Sequence, residues 1–228
     1  MNEKEKKNYT ISMIINILIF IFTILASILI FTGIKFMHGT EPVLEVTKIG
    51  MFKFFTVDSN LFMALVALAF ALEEYQLLKG QKKSISTKLF TYKLMSTTAV
   101  TLTFVVVFAY LGPFSSGGIP SMIRNSNLFF HLLIPVLSII NFTCFEKTKT
   151  ITFKNVFYGL VPTLLYAIFY ITNIIIHSKD GYVSPTYDWY WFVQKGIWSL
   201  IIVIPLFILI TFGISYTLWK GNKFKATK

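Results

Sequence analysis

Six long apolar runs divide the chain, at roughly 11–34, 54–78, 89–112, 126–145, 153–176 and 193–219. Each reaches the ~20 residues needed to cross a hydrocarbon core of about 30 Å at 1.5 Å per residue. Polarity does not alternate along them; Ile11–Phe31 is nearly continuous, so the runs read as helices and not as barrel strands. A bilayer leaves backbone amides without water, which limits a spanning chain to those two solutions. The pattern predicts an all-α, polytopic integral membrane protein: six transmembrane helices in a single domain over residues 1–228.

Composition agrees. Hydrophobic residues make up 55% of the chain, and Phe alone contributes 24, more than a soluble domain can hide, so lipid is the solvent. Lys4, Lys6 and Lys7 before the first run resemble the start of a signal peptide. The run is too long for one, and no small-x-small cleavage site follows, so an uncleaved first helix is expected. A single cysteine, Cys144, excludes an internal disulfide and a cysteine metal cluster.

The formal charge of +11 bears on orientation. Fifteen of the 21 Lys and Arg residues fall in the N-terminus, the second and fourth loops and the tail, with Lys79, Lys82, Lys83, Lys88 and Lys93 assigned to the second loop. Only Lys35, Lys48, Lys53, Arg124, Lys179 and Lys195 fall on the other side. The positive-inside rule then places both termini in the cytoplasm, in agreement with an even number of crossings. Such a collar suits anionic headgroups. Nucleic acid is not an expected partner, since no loop is long enough to carry a binding domain. On the outer side the first loop contains Glu41-Pro42, and the turn-rich third loop, Gly112 to Pro120, reads as a lid or a connector. The fifth carries Tyr182, Tyr187, Trp189, Tyr190 and Trp191, which suit a headgroup belt or a rim through which a substrate reaches the bundle.

Two polar groups interrupt the apolar runs at matching depth. Thr56, Asp58, Ser59 and Asn60 lie within two turns of the outer end of helix two; His131 lies one to two turns into helix four, below Asn127, and Lys195 opens helix six. Polar groups inside a membrane are costly and often mark function. Thr56, Ser59 and Asn60 share one helical stripe. Asp58 is about 200° from Thr56 around a 3.6-residue period and reads as a helix cap. Each residue also has a structural reading. Thr56 can bond back to the Phe52 carbonyl, His131 can bridge helices, Asn60 and Asn127 can join them, and Lys195 can snorkel to the headgroups. Pro135, Pro162 and Pro205 bend helices four, five and six.

The functional reading joins these residues. A threonine hydroxyl needs a base within hydrogen-bond reach to act as a nucleophile. An imidazole among apolar side chains stays neutral and keeps a lone pair for that task. Asn or Ser donors nearby can stabilise an oxyanion. In the outer leaflet such a site would meet a lipid ester, with membrane lipids as substrate or surroundings. Three scattered histidines and no acidic pair at ligand spacing leave no metal set. No phosphate loop or dinucleotide fingerprint calls for a cofactor.

These same residues carry a family resemblance. Phe54-Phe55-Thr56-Val57-Asp58-Ser59-Asn60-Leu61 resembles the helix-two motif of bacterial six-helix membrane proteins related to the eukaryotic androgen-induced membrane hydrolases. His131-Leu-Leu-Ile-Pro135, continuing through Asn141 to Phe145-Glu146, resembles their helix-four motif. Pro162 through Tyr166 and Tyr170, then Tyr182 to Trp191 and Gly196, resembles a third block. The resemblance spans about residues 10–220. The eukaryotic members are intramembrane threonine hydrolases of fatty acid esters of hydroxy fatty acids. The resemblance implies a lipid hydrolase or acyltransferase of the bacterial plasma membrane, with its nucleophile at Thr56 and its base at His131. Ser59, Asn60, Asn127, Asp58 and Lys195 are its expected supporting or substrate-binding residues.

Two other functions stay open from the residues. One is a small-solute transporter with Asp58, His131 and Lys195 along its path. The other is a non-catalytic lipid-binding or scaffold protein whose polar cluster fixes helix packing. Transporters built from repeats place broken helices in both halves. Here the three helix-bending prolines fall only in helices four to six, which disfavours the first.

Overall fold

A helix in lipid buries its small and polar residues against protein and turns its large apolar ones outward. The computed structural model, which describes residues 1–38, 46–115, 117–146 and 148–226, follows that rule from its first helix. In α1, Glu3–Thr32, the buried residues Ser12, Asn16, Ile19, Thr23 and Ala26 recur every three or four positions along one face. Ile14, Ile17, Ile21, Ile28 and Phe31 are exposed. Five more helices are long and apolar enough to span: α2 Phe55–Leu78, α3 Thr87–Phe114, α4 Leu128–Phe145, α5 Phe153–Ile176 and α6 Ile197–Lys223. The protein is all-α and multi-pass; among the described residues the only strands, Ser178–Lys179 and Tyr182–Val183, form a two-stranded hairpin after α5. Glu41-Pro42 in the first loop, Ser116 in the third, and Lys147 and Lys228 of the basic collar lie outside the described residues.

The third helix is the centre of the bundle. Protein covers 67% of its apolar stretch, against 6% for α6. Its sequence explains this: Ser96, Thr97, Thr98, Thr101 and Thr103 are all buried, and small side chains let neighbouring backbones approach. Several hydroxyls satisfy themselves on their own helix, as Thr101 Oγ1 does by donating to the Thr97 carbonyl at 2.7 Å. The buried apolar side chains form two groups. One surrounds Met63, Phe130, Tyr170 and Tyr190; the other, around Phe70, Phe90 and Phe142, lies nearer the termini.

Three expectations need correction. Helix α1 starts at Glu3, about two turns before the apolar run, because Asn2 and Glu5 form a capping box: Asn2 Oδ1 accepts from the Glu5 amide at 2.8 Å and Glu5 returns the contact at 3.0 Å. Helix α6 starts at Ile197 and not at 193, since the preceding residues fold into a turn ending at Gly196, φ 101°. Lys93 belongs to α3, wholly buried, and not to a loop collar.

Wide turns replace regular α geometry at three places. The amide of Gly112 donates to the carbonyl of Val107, that of Ile134 to Phe129, and that of Glu146 to Asn141, each five residues back. Two of these stand directly before a proline, Pro113 or Pro135. Proline donates no amide and crowds the carbonyl four residues behind it, here Ala109 or His131. Widening the preceding turn relieves that crowding. The local backbone around His131 is thus a consequence of Pro135.

Helices α5 and α6 are in tight contact at Gly159. A Cβ there would lie 2.2 Å from Ser215 Oγ and 2.7 Å from its Cβ, while Ser215 Oγ donates to the Val156 carbonyl at 2.8 Å. Gly159→Ala is expected to cost about 1–3 kcal/mol by overpacking, seen as a lowered Tm of the detergent-solubilised protein. Ser215→Gly in the same chain should recover most of the loss; no recovery would mean that the contact is not the cause.

Candidate functional site

Helix α2 begins at Phe55 after an extended Phe54, and neither Phe54 nor any side chain of its first turn caps it. Its first amides therefore need an acceptor from elsewhere. Tyr190, in the loop between α5 and α6, supplies one: its phenol oxygen accepts from the Phe55 amide at 2.9 Å, and the Thr56 amide also bears on it. Asp58 is not the cap expected from the sequence. It lies within the first turn, where its charge complements the helix dipole but its side chain bonds no free amide.

Tyr190 reaches α2 because the loop folds inward. The Asp188 carboxylate, 2% exposed, accepts from the amides of Phe192 and Val193, each at 3.0 Å, and from the Tyr170 phenol. That fixes a turn carrying Trp189 and Tyr190 into the bundle. Tyr166 then ties the loop to the approach to α2: its phenol donates to the Lys53 carbonyl at 2.6 Å and accepts from Trp189 Nε1 at 3.1 Å. Farther along, Asn173 Nδ2 donates to the Tyr187 carbonyl at 2.8 Å, and His177 stacks on the Tyr187 ring. The headgroup-belt reading fails for Trp189 and Tyr190, which are buried, and suits only exposed rings such as Tyr182. Burial pushes the Tyr190 phenol up to about 12. It stays protonated near neutrality, with an O–H left to donate.

Thr56, the second residue of α2, stands between two spaces. On one side is a small cavity of about 30 Å³, lined by Thr56, Val57, Asn127, Phe130, His131 and Tyr190 among others. That is room for a water molecule. On the other is an apolar cleft of about 100 Å³ between α3, α5 and α6, walled by side chains such as Leu102, Val106, Ala167, Val203 and Phe207. Leu164 and Ile208 on its wall are exposed toward lipid. Thr56 and Tyr190 line both spaces. Among the described residues Thr56 Oγ1 makes no hydrogen bond to Phe52 or to any other group, so the back-bonded reading does not hold.

His131 lies in the wide turn that opens α4. Its Nδ1 is 2.5 Å from the carbonyl of Met122, at the end of a short helix, Gly118–Met122. A carbonyl only accepts, so Nδ1 carries the proton of the neutral ring and Nε2 keeps its lone pair. Among the described residues Nε2 has no hydrogen-bond partner, and none joins it directly to Thr56. The two share a cavity without touching through a hydrogen bond.

The other expected residues divide. Ser59 Oγ and Asn60 Nδ2 both donate to the Thr56 carbonyl, at 3.1 and 2.7 Å, and Asn60 also reaches the Phe130 carbonyl on α4 at 3.3 Å. Asn60 holds the Thr56 turn against α4, Ser59 pairs with Thr103 on α3 at 3.3 Å, and neither lines the cavity. Asn127 does line it. Asp58 faces a different groove, with Phe52, Phe62, Tyr92, Met95 and Leu165. Lys195 is exposed in the turn before α6, away from both spaces. Asp58, His131 and Lys195 therefore do not line one path. Sequence reasoning missed Tyr190 and the Met122 carbonyl. The aromatic density of the fifth loop was visible, but only the fold of Asp188 shows where it points.

No protein-family model, curated protein or solved structure matches the chain.

Tyr190→Phe removes the acceptor at the head of α2 and should cost about 1 kcal/mol, with faster amide exchange at Phe55. Asp188→Ala strands two buried amides and a phenol and should cost about 3 kcal/mol. Equal Tm values for wild type and both variants would refute this account of the loop.

Proposed function

We propose that the protein is a multi-pass membrane hydrolase or acyltransferase acting on a lipid ester, with Thr56 as nucleophile and His131 as base. The observation that carries the reading is the shared cavity: Thr56, whose hydroxyl is unbonded among the described residues, and the Met122-anchored His131 line one water-sized space, and the same threonine lines an apolar cleft. The motifs around Thr56 and His131, with their resemblance to intramembrane threonine hydrolases, support it as well.

In this reading an acyl chain occupies the cleft between α3, α5 and α6, and its ester carbonyl reaches Thr56. His131 Nε2 takes the hydroxyl proton, directly as the cavity tightens or through one water, while Oγ1 attacks the carbonyl carbon. The oxyanion receives hydrogen bonds from the Tyr190 phenol and the Asn127 amide, which line the same cavity. Collapse breaks the bond to the alcohol oxygen, and the imidazolium returns its proton to that leaving group. The acyl-threonine then passes to water or to a second alcohol, deprotonated by the same ring. Met122 acts by holding the ring in the tautomer that leaves Nε2 free. The basic collar supports a plasma-membrane orientation with both termini cytoplasmic and the Thr56 cavity toward the outer leaflet.

A fluorophosphonate probe tests the assignment on the purified protein in lipid nanodiscs. Wild type and Thr56→Ser should label, whereas Thr56→Ala and His131→Ala should lose at least ten-fold in labelling, about 1.4 kcal/mol or more in barrier. Tm should stay near wild type in both Ala variants. Undiminished labelling of Thr56→Ala would sink the nucleophile assignment. A large loss of Tm in His131→Ala would make the histidine a packing residue.

A further inference from the structure

A second polar cluster lies at the opposite end of the bundle, where α1 and α6 carry the chain termini. Five of the six helices contribute to it. Ser12 and Asn16 come from α1, Glu74 from α2, Lys93 from α3, Asn141 and the adjoining Glu146 from the end of α4, and Asn222 from α6; all have 0% exposure. Lys93 Nζ is 2.8 Å from Glu146 Oε1, also donates to Asn16 Oδ1, and lies over the Phe70 ring at 5.1 Å. Glu146 Oε1 further accepts from Asn16 Nδ2 at 2.9 Å and Asn141 Nδ2 at 2.8 Å. Asn16 Nδ2 is in turn 3.1 Å from Glu74 Oε2. One amide nitrogen thus serves both carboxyl groups.

The cluster has an excess of acceptors. Among the described residues two carboxyl groups face one ammonium, and Lys93 makes its ion pair with Glu146 and acts on Glu74 only through space. Among the described residues Glu74 Oε1, Glu146 Oε2 and Asn141 Oδ1 are buried without a hydrogen-bond partner. The donors are already engaged: the Ser12 hydroxyl bears on Glu146 at 3.5 Å and on Glu74, Asn141 Nδ2 on Glu146 and the Ser12 carbonyl, and Asn222 Nδ2 on the carbonyls of Phe142 and Glu146. An isolated carboxylate in such a place is costly, and it neutralises when it is able to. One proton on Glu74 removes the unmatched charge and adds one donor where acceptors are in excess.

We propose that this cluster is a proton-binding site, in which Glu74 holds the proton and Lys93–Glu146 is the ion pair that fixes its neighbours. The proton seals α2 against α1 and α4, and its release leaves a buried negative charge that loosens that contact. Every charged or titratable neighbour has a place in this account. On α1 Glu74 is faced by Tyr9, with Glu5 beyond it; on α3 by Lys93; and at the end of α4 by Glu146. From α6 the cluster receives the neutral Asn222, and on α2 itself the adjacent Glu73 turns away to bind Lys82 at 2.7 Å. The site is independent of the Thr56 assignment, which can fail without affecting it.

Infrared difference spectroscopy of the full chain in nanodiscs tests the site. At neutral pH in sodium-free buffer, wild type and Glu73→Gln should both show the carbonyl stretch of a protonated carboxyl group. Glu74→Gln should lose that band, and Glu74→Asp should shift it. Raising the pH should abolish the wild-type band and lower Tm by several degrees, whereas Glu74→Gln, which mimics the protonated form, should hold its Tm over the same range. If Glu74→Gln does not fold, the wild-type band and its shift in Glu74→Asp still decide the matter. Absence of the band at neutral pH, its survival in Glu74→Gln, or an unshifted band in Glu74→Asp overturns the proposal. So does its disappearance when sodium is added at constant pH, which would identify a metal cation as the occupant.

Discussion

The head of α2 depends on one hydrogen bond that its own sequence does not provide. Phe54 and Phe55 offer no polar side chain to the first amides, and inside a bilayer those amides cannot turn to bulk water. The acceptor comes from Tyr190, more than a hundred residues later, and Tyr190 arrives only because Asp188 folds the fifth loop over the bundle. Tyr166 and Tyr170 clamp the loop from α5. The position of Thr56, one residue into the helix, therefore follows from the loop as much as from α2. This makes the aromatic loop part of the site's construction and not a decoration at the membrane surface.

A second constraint sets the opposite wall. Pro135 has no amide to donate and crowds the His131 carbonyl, and the chain answers with a wide turn over Leu128–Leu133. His131, on that turn, lines the cavity that Thr56 also lines, while the Met122 carbonyl holds Nδ1. The site lies where two departures from regular helix meet: an α2 start capped from afar and an α4 start widened by proline. Neither alone brings the hydroxyl and the imidazole to one cavity.

This explains what the sequence did and did not reveal. The six helices were legible because lipid demands long apolar runs, and the Thr56–Ser59–Asn60 stripe was legible because it is local. The roles of Ser59 and Asn60 were not, since a helical stripe does not say whether an amide points to a cavity or back to the Thr56 carbonyl. Asp58 misled for a related reason. A carboxyl near a helix start is a good cap only if the helix begins just after it, and α2 begins three residues earlier. Lys93 was misassigned because counting charges by loop ignores helical phase. Its burial becomes readable once Asn16, Glu74 and Glu146 are seen to converge, a long-range fact that no window of sequence contains.

The two polar regions follow opposite logic within one bundle. At the Thr56 end, polar atoms are left idle among the described residues: a hydroxyl without a partner, a ring nitrogen without a partner, and space for a water between α2 and α4. Such a region leaves capacity for something to enter and bond. At the other end five helices converge on a cluster whose donors are engaged, while three buried acceptor atoms, Glu74 Oε1, Glu146 Oε2 and Asn141 Oδ1, have no partner among the described residues. In a medium that offers no water to make up the difference, a shortage of donors beside an excess of one carboxyl group is met most simply by a proton. The same central helix joins both regions, with Thr103 beside Ser59 and Lys93 beside Asn16. Thr103, which also lines the apolar cleft, stands about three turns beyond Lys93 on that helix.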